Sequence, residues 1–252
     1  MSSMHADASA VLGPFVGVLG GMGPLATVDL LAKIIEETPA GIDQDHVPVV
    51  AHNVAQIPDR QRFVAGDGPS PLPAMHAGIA RLNAIGAGCI AMPCNTAHIW
   101  FDTLAAHSRA PLIHIADAVA EVLSDGLADG PAPARVGLLA TQGTLRAGFY
   151  QQRLGARGIE VLHNRDDEFD AWFTPGCYAV KAGDLERGAR LLGEAAARLA
   201  ERGAERLLLA CTEVPPALAR LDPAGLPAQI DATRALARAC VRWWQQQPRT
   251  TT

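Results

Sequence analysis

Two stretches of this chain, 117 residues apart, carry the same residues in the same order. Arg81-Leu82, Gly86-Ala87 and Cys94 align without a gap on Arg198-Leu199, Gly203-Ala204 and Cys211. Upstream, Val16-Gly17-Val18-Leu19 matches Val136-Gly137-Leu138-Leu139, and downstream Pro111–Ile115 has a weaker echo in residues 227–231. An offset of 117–120 residues is too long for a solenoid repeat and fits two copies of one α/β domain.

Within each copy, short apolar runs alternate with helical patterns. Phe15–Leu19 reads as a strand, Gly20–Gly23 as a tight loop and 24–37 as a helix; Val47–His52 reads as a second buried strand. A helix over 73–85 stopped by Gly86, a strand over 88–92, a helix over 96–107 and a fourth strand over 112–115 complete the first copy. The second copy restarts with a strand at 136–139, a loop over 140–144, a helix to about Leu154 and a strand at 159–162. Asp184 is an N-cap for a helix running to Arg202, Gly203 stands at its C′ position, and 207–210 is the next strand. The expected fold is therefore α/β: two similar Rossmann-like domains, each a mainly parallel sheet flanked by helices. We expect residues 1–115 with 226–252 to form the first, carrying Cys94, and 116–225 the second, carrying Cys211. A pseudo-two-fold relation would place the site in the cleft between them. In each copy the cysteine falls just past the C-terminal end of a strand, where open parallel sheets keep their sites.

The net charge of −5 argues against a phosphate-binding surface, so no nucleic-acid partner is expected. No apolar run approaches membrane-spanning length, so no membrane partner is expected either. Residues 1–10 lack the basic and apolar regions of an export signal. They and 245–252 read as loose tails, and the cytoplasm is the expected location. Five cysteines without CxxC spacing fit free thiols better than disulfides or zinc.

Two thiols at matched positions suit a particular chemistry. Inverting a stereocentre by proton transfer needs a base on one face and an acid on the other, and a thiolate and a thiol supply both. Asn95-Thr96 and Thr212-Glu213, which follow the two cysteines, offer backbone N–H groups at helix starts to a thiolate or a carboxylate. Cys89, Cys177 and Cys240 have no matched partner and read as small packing residues. His98, four residues after Cys94, allows a Cys–His hydrolase pair, but such an enzyme needs no second cysteine in the other copy; a cap or supporting role fits better.

Several stretches resemble the aspartate/glutamate racemase superfamily, and within it the aspartate racemases. They are Gly20–Thr27 (GGMGPLAT), Gln56–Arg60 (QIPDR), Met92–His98 (MPCNTAH), Leu138–Thr141 (LLAT), Val180–Gly183 (VKAG) and Cys211–Val214 (CTEV). They follow the family's order and spacing over about residues 15–235. The resemblance implies two α/β domains, a homodimer, racemisation without a cofactor, and a catalytic cysteine pair, Cys94 and Cys211. It assigns Arg60 and Lys181, one of only two lysines in the chain, to the substrate or a thiol. Met22, Asn95, Thr96, Thr141 and Thr212 are further substrate-binding candidates, and Glu213 and His98 supporting ones; no metal ligand set is expected. Family members often carry glycine where this chain has Ala210, which is expected to crowd the loop. Asn53-Val54-Ala55 is less polar than the pattern. The expected substrate is a small acidic amino acid. Alternatives are a glutamate or broad-specificity racemase, a hydantoin racemase, a maleate isomerase, or a non-catalytic amino-acid binding protein.

Overall fold

A computed structural model describes residues 13–124 and 132–248. The expected tails at 1–10 and 249–252 lie outside the described residues. Gln245 instead ends the last helix, and Gln246 and Gln247 turn off its end, donating to the carbonyls of Arg242, Trp243 and Trp244.

The chain divides into two compact units. The first runs to Pro93 and adds Trp100–His114 and the segment from Leu236 onward; the second is Cys94–Ile99 with Ile115–Ala235.

The first unit is built on a parallel sheet of order β2-β1-β3, with β1 Val16–Gly20, β2 Val49–Asn53 and β3 Cys89–Ala91. Helices α1 (Pro24–Glu37), α2 (Arg60–Val64), α3 (Leu72–Ala84) and α4 (Phe101–Ala106) follow the strands. β1 is buried at every position because it is the central strand. β2, expected to be buried, is instead mostly exposed: it is an edge strand, and Val50 is 40% exposed. The expected fourth strand is reduced to a single parallel bridge, Ile90 to Leu112, because Ile115 already begins the next helix.

The second unit repeats the plan with order β5-β4-β6-β7, all parallel. Its strands are β4 Arg135–Ala140, β5 Glu160–His163, β6 Arg206–Ala210 and β7 Gln229–Asp231. Helix α5 is Ile115–Ser124. The stretch after β4 is already helical: α6 (Gln142–Ala147) begins on Thr141, whose Oγ1 accepts from Thr144 N, and Gly148, at φ +70°, breaks it from α7 (Phe149–Gly155). A helical run over Asp166–Lys181, containing a π turn at Phe169–Phe173, ends in α8 (Thr174–Lys181). α9 (Leu185–Glu201), capped by Asp184, precedes β6; α10 (Val214–Leu218) and α11 (Ala232–Gln245) complete the chain.

The repeated residues make repeated contacts. A Cβ on Gly17 would meet the Ala87 Cβ at 3.0 Å, and one on Gly137 would meet the Ala204 Cβ at 3.0 Å. Both glycines let the residue entering the neighbouring strand lie against the central strand. Gly86 and Gly203 both take positive φ, 83° and 89°, to end the preceding helix. The downstream segment repeats too, one residue out of the register of the expected echo: β6 pairs Leu207 with Gln229 as Ile90 bridges Leu112. Trp243 packs on Gly88.

Candidate active site

Both cysteines emerge from their strands in the same way. Cys94 follows β3 and its carbonyl accepts from Ala97 N; Cys211 follows β6 and its carbonyl accepts from Val214 N. Each is 6% exposed. Both belong to the second unit.

Polar side chains surround Cys94. His98 Nε2 accepts from Ile115 N at 3.2 Å, so the ring proton sits on Nδ1, which donates to the Cys94 carbonyl at 2.9 Å. With both nitrogens engaged by backbone, His98 holds the Cys94 turn and offers no lone pair to a metal or a nucleophile. Asn95 Oδ1 accepts from the Tyr150 hydroxyl at 2.6 Å. Tyr150 is fully buried, and burial, reinforced by Asp231, holds its phenol well above its ordinary pKa, so it stays a neutral donor. The hydroxyls of Thr96, Thr141 and Thr144 form a triangle, 3.1 Å between Thr96 and Thr141, 3.3 Å between Thr96 and Thr144 and 3.1 Å between Thr141 and Thr144. The cap of α6 is thereby tied to the loop that carries Cys94.

A second cluster surrounds Cys211. Its Sγ donates to Glu213 Oε2 at 2.9 Å, and the Thr212 hydroxyl donates to the same oxygen at 3.3 Å. Lys181 Nζ lies 3.8 Å from the other oxygen, Oε1. Glu213 therefore turns toward the thiol rather than capping α10. Cys177 Sγ is 3.9 Å from Cys211 Sγ, and either sulfur can donate to the other. Contact with Cys177, burial and the Glu213 carboxylate all push the Cys211 thiol well above its ordinary pKa. Cys211 therefore rests as a protonated thiol. Close helix packing delivers Cys177 there: Gly176 lies against Leu192, and Gly188 against Val180, with no room for a Cβ.

Cys177 is the residue that sequence reasoning missed. It stands 34 positions from Cys211 on another element, and no spacing rule joins them. Tyr150 and Thr144 were likewise unforeseen, although Thr144 stands three residues after the Thr141 cap.

In the first unit, Arg60 donates through one terminal nitrogen to the carbonyls of Ile57 and Pro58, at 3.3 and 3.0 Å. Among the described residues its buried Nε finds no hydrogen-bond partner. Met22 is buried beside a loop whose glycines have packing reasons: a Cβ on Gly20 would strike Thr27, and one on Gly21, at φ +92°, would strike the Val54 backbone. Asn53 Oδ1 accepts from the Thr27 hydroxyl at 2.9 Å. Ala210 does not crowd a loop: it lies within β6, paired with Ala140. Cys89 and Cys240 are buried, and desolvation raises both thiols, that of Cys240 to about 12.

Among the described residues, no helix is long and apolar enough to cross a membrane. A family model described as Asp/Glu/Hydantoin racemase matches residues 19–240. An aspartate racemase of Picrophilus torridus is 32% identical, with 94% of this chain and 96% of that one covered and a TM-score of 0.79. A broad-specificity amino-acid racemase of Bacillus subtilis is 25% identical over 90% of this chain and 96% of its own length. A glutamate racemase of Francisella tularensis, solved with D-glutamate, shares the fold at 16% identity, with 92% of this chain and 81% of that one covered and a TM-score of 0.68.

Proposed function

The chain belongs to the Asp/Glu/hydantoin racemase family, and we propose that within it the protein racemises aspartate by two-base proton transfer between Cys94 and Cys211 without a cofactor. The observation that carries this reading is the matched pair of nearly buried thiols at equivalent strand ends, in a chain 32% identical over 94% of its length to an aspartate racemase. Cys211 starts as the acid, because its surroundings favour the thiol. Cys94 takes the α-proton from one enantiomer, and the Cα–H electron pair passes into the substrate carboxylate. Cys211 then gives its proton to the opposite face, and the reverse reaction exchanges the roles. Arg60, with an uncommitted buried Nε, suits a carboxylate. Lys181 acts through Glu213 and on the second carboxylate. Met22, Asn95, Thr96, Thr141 and Thr212 complete the substrate site.

The likeness to the broad-specificity racemase supports a second reading, with several amino acids accepted. We place the protein in the cytoplasm, where thiols stay reduced. We read it as a homodimer, because α1 exposes Leu25, Val28 and Ile35 along one face. The test is a chiral assay of the purified protein on both enantiomers of a panel of amino acids without added cofactor. Fastest interconversion of aspartate supports the first reading. Comparable rates on neutral amino acids support the second, and no interconversion refutes both.

A further inference from the structure

Among the described residues, one group has the ligand types and spacing to hold a metal ion: Cys177, Cys211 and Glu213, whose ligand atoms all lie within 4.8 Å of one another. We propose that these three residues form an inhibitory site for a thiophilic divalent cation such as Zn2+, which switches the enzyme off by taking the Cys211 thiol out of the proton relay. The proposal rests on Cys211 being a catalytic thiol.

The geometry is close to what the ion requires. Two thiolates on one tetrahedral zinc, at about 2.3 Å each, stand roughly 3.8 Å apart; here the sulfurs are 3.9 Å apart. A sulfur and a carboxylate oxygen on the same ion stand about 3.5 Å apart. The Cys211 Sγ to Glu213 Oε2 separation is 2.9 Å, the length of the S–H to oxygen bond that the ion would replace. The carboxylate has to draw back from Cys211 by about half an ångström, and the Cys177 sulfur and the carboxylate oxygen, which lie within 4.8 Å of one another, have to settle at the same spacing of about 3.5 Å. Binding forms two Zn–S bonds and one Zn–O bond, and the two thiol protons leave to solvent. Two thiolates and a carboxylate around a dication leave one net negative charge, which Lys181, at 3.8 Å from Glu213 Oε1, balances. The Glu213 side chain is 15% exposed, so the site has an approach on that side, and three protein ligands leave the fourth position for water. A second sulfur 3.9 Å from the catalytic one is the arrangement that chelation requires.

The experiment uses the full-length protein. Cd2+ is titrated as a spectroscopic probe, following the cadmium–thiolate charge-transfer absorption, and Zn2+ is titrated against racemisation. Wild type should develop the absorption at one equivalent and lose activity in parallel. Cys177→Ala, read against its own metal-free rate, should weaken Zn2+ inhibition more than about a hundredfold, beyond what loss of an outer partner of a metal site costs. Cys94→Ala should keep the cadmium band and Cys211→Ala should lose it. Should Cys177→Ala fail to fold, Cys177→Ser serves instead, with an expected weakening of about tenfold or more. Unchanged Zn2+ inhibition in the folded Cys177 variant, or a cadmium band that survives Cys211→Ala, overturns the site. A Cys211→Ala protein that still racemises but loses the band overturns the catalytic reading and leaves the metal site standing.

Discussion

Glu168→Gln tests whether the scaffold beneath Cys177 and Lys181 is held as described. Glu168 is 1% exposed and opens the helical run that ends at Lys181. Its carboxylate accepts from Arg202 at 2.6 and 2.9 Å, from Asn164 Nδ2 at 3.1 Å and from Arg165 N at 3.0 Å. Those bonds, led by Arg202, hold its pKa down from 4.5 to about 2. At 1.36 kcal/mol for each pH unit, that depression is worth about 3 kcal/mol at neutral pH. Glutamine keeps the shape but removes the charge and turns an N–H toward a donor. For a chain of this size the loss is a fall of about 6–12 °C in Tm at pH 7, read by circular dichroism. A depressed carboxylate contributes its stability above the unfolded pKa and loses it as pH falls through the folded one. The gap between wild type and variant should therefore narrow to less than half its neutral value at pH 3 and nearly close at pH 2. A fall below about 3 °C at pH 7, or a gap that does not narrow in acid, refutes the reasoning.

Three further outcomes follow from the same contacts. Glu213→Gln removes the anion that helps raise the Cys211 thiol, so the pH at which Cys211 alkylates with iodoacetamide, in a background lacking Cys94 and Cys177, should fall; a rise or no change contradicts the assigned cause. Arg60→Ala should cut kcat/KM on aspartate roughly ten- to a hundredfold, about 1.5–3 kcal/mol, with circular dichroism unchanged; near wild-type kinetics removes Arg60 from the site. Gly137→Ala should destabilise by about 1–3 kcal/mol in urea, because its Cβ would meet the Leu199 Cβ at 2.9 Å and the Ala204 Cβ at 3.0 Å; a neutral result means that the sheet and α9 yield more than close packing allows.

How far the molecule was legible in its sequence follows from where the constraints lie. The repeat was readable because its residues do the same local work twice: Gly17 admits Ala87 as Gly137 admits Ala204, and Gly86 and Gly203 end their helices at positive φ. Strand position was less readable. β2 has the apolar run of a buried strand but lies at an edge, and run length cannot tell edge from centre. The helical run before Lys181 gives little periodic signal because Pro175 and Gly176 interrupt it. Cys94 and Cys211 were visible through their matched strand ends. Their surroundings were not, since the Tyr150–Asn95 bond and the Cys177–Cys211 contact join residues 55 and 34 positions apart. Only packing brings those together.

The central claim is that two thiols serve opposite faces of one carbon. The most direct measurement is deuterium wash-in from heavy water into L- and D-aspartate by the Cys94→Ser and Cys211→Ser proteins. A serine hydroxyl ionises far less readily than a thiol of pKa about 8.5, so each variant keeps one working base. Each should lose racemisation, and each should still exchange the α-proton of one enantiomer, the two variants choosing opposite ones. Full racemisation by either variant, or exchange of the same enantiomer by both, would contradict the account.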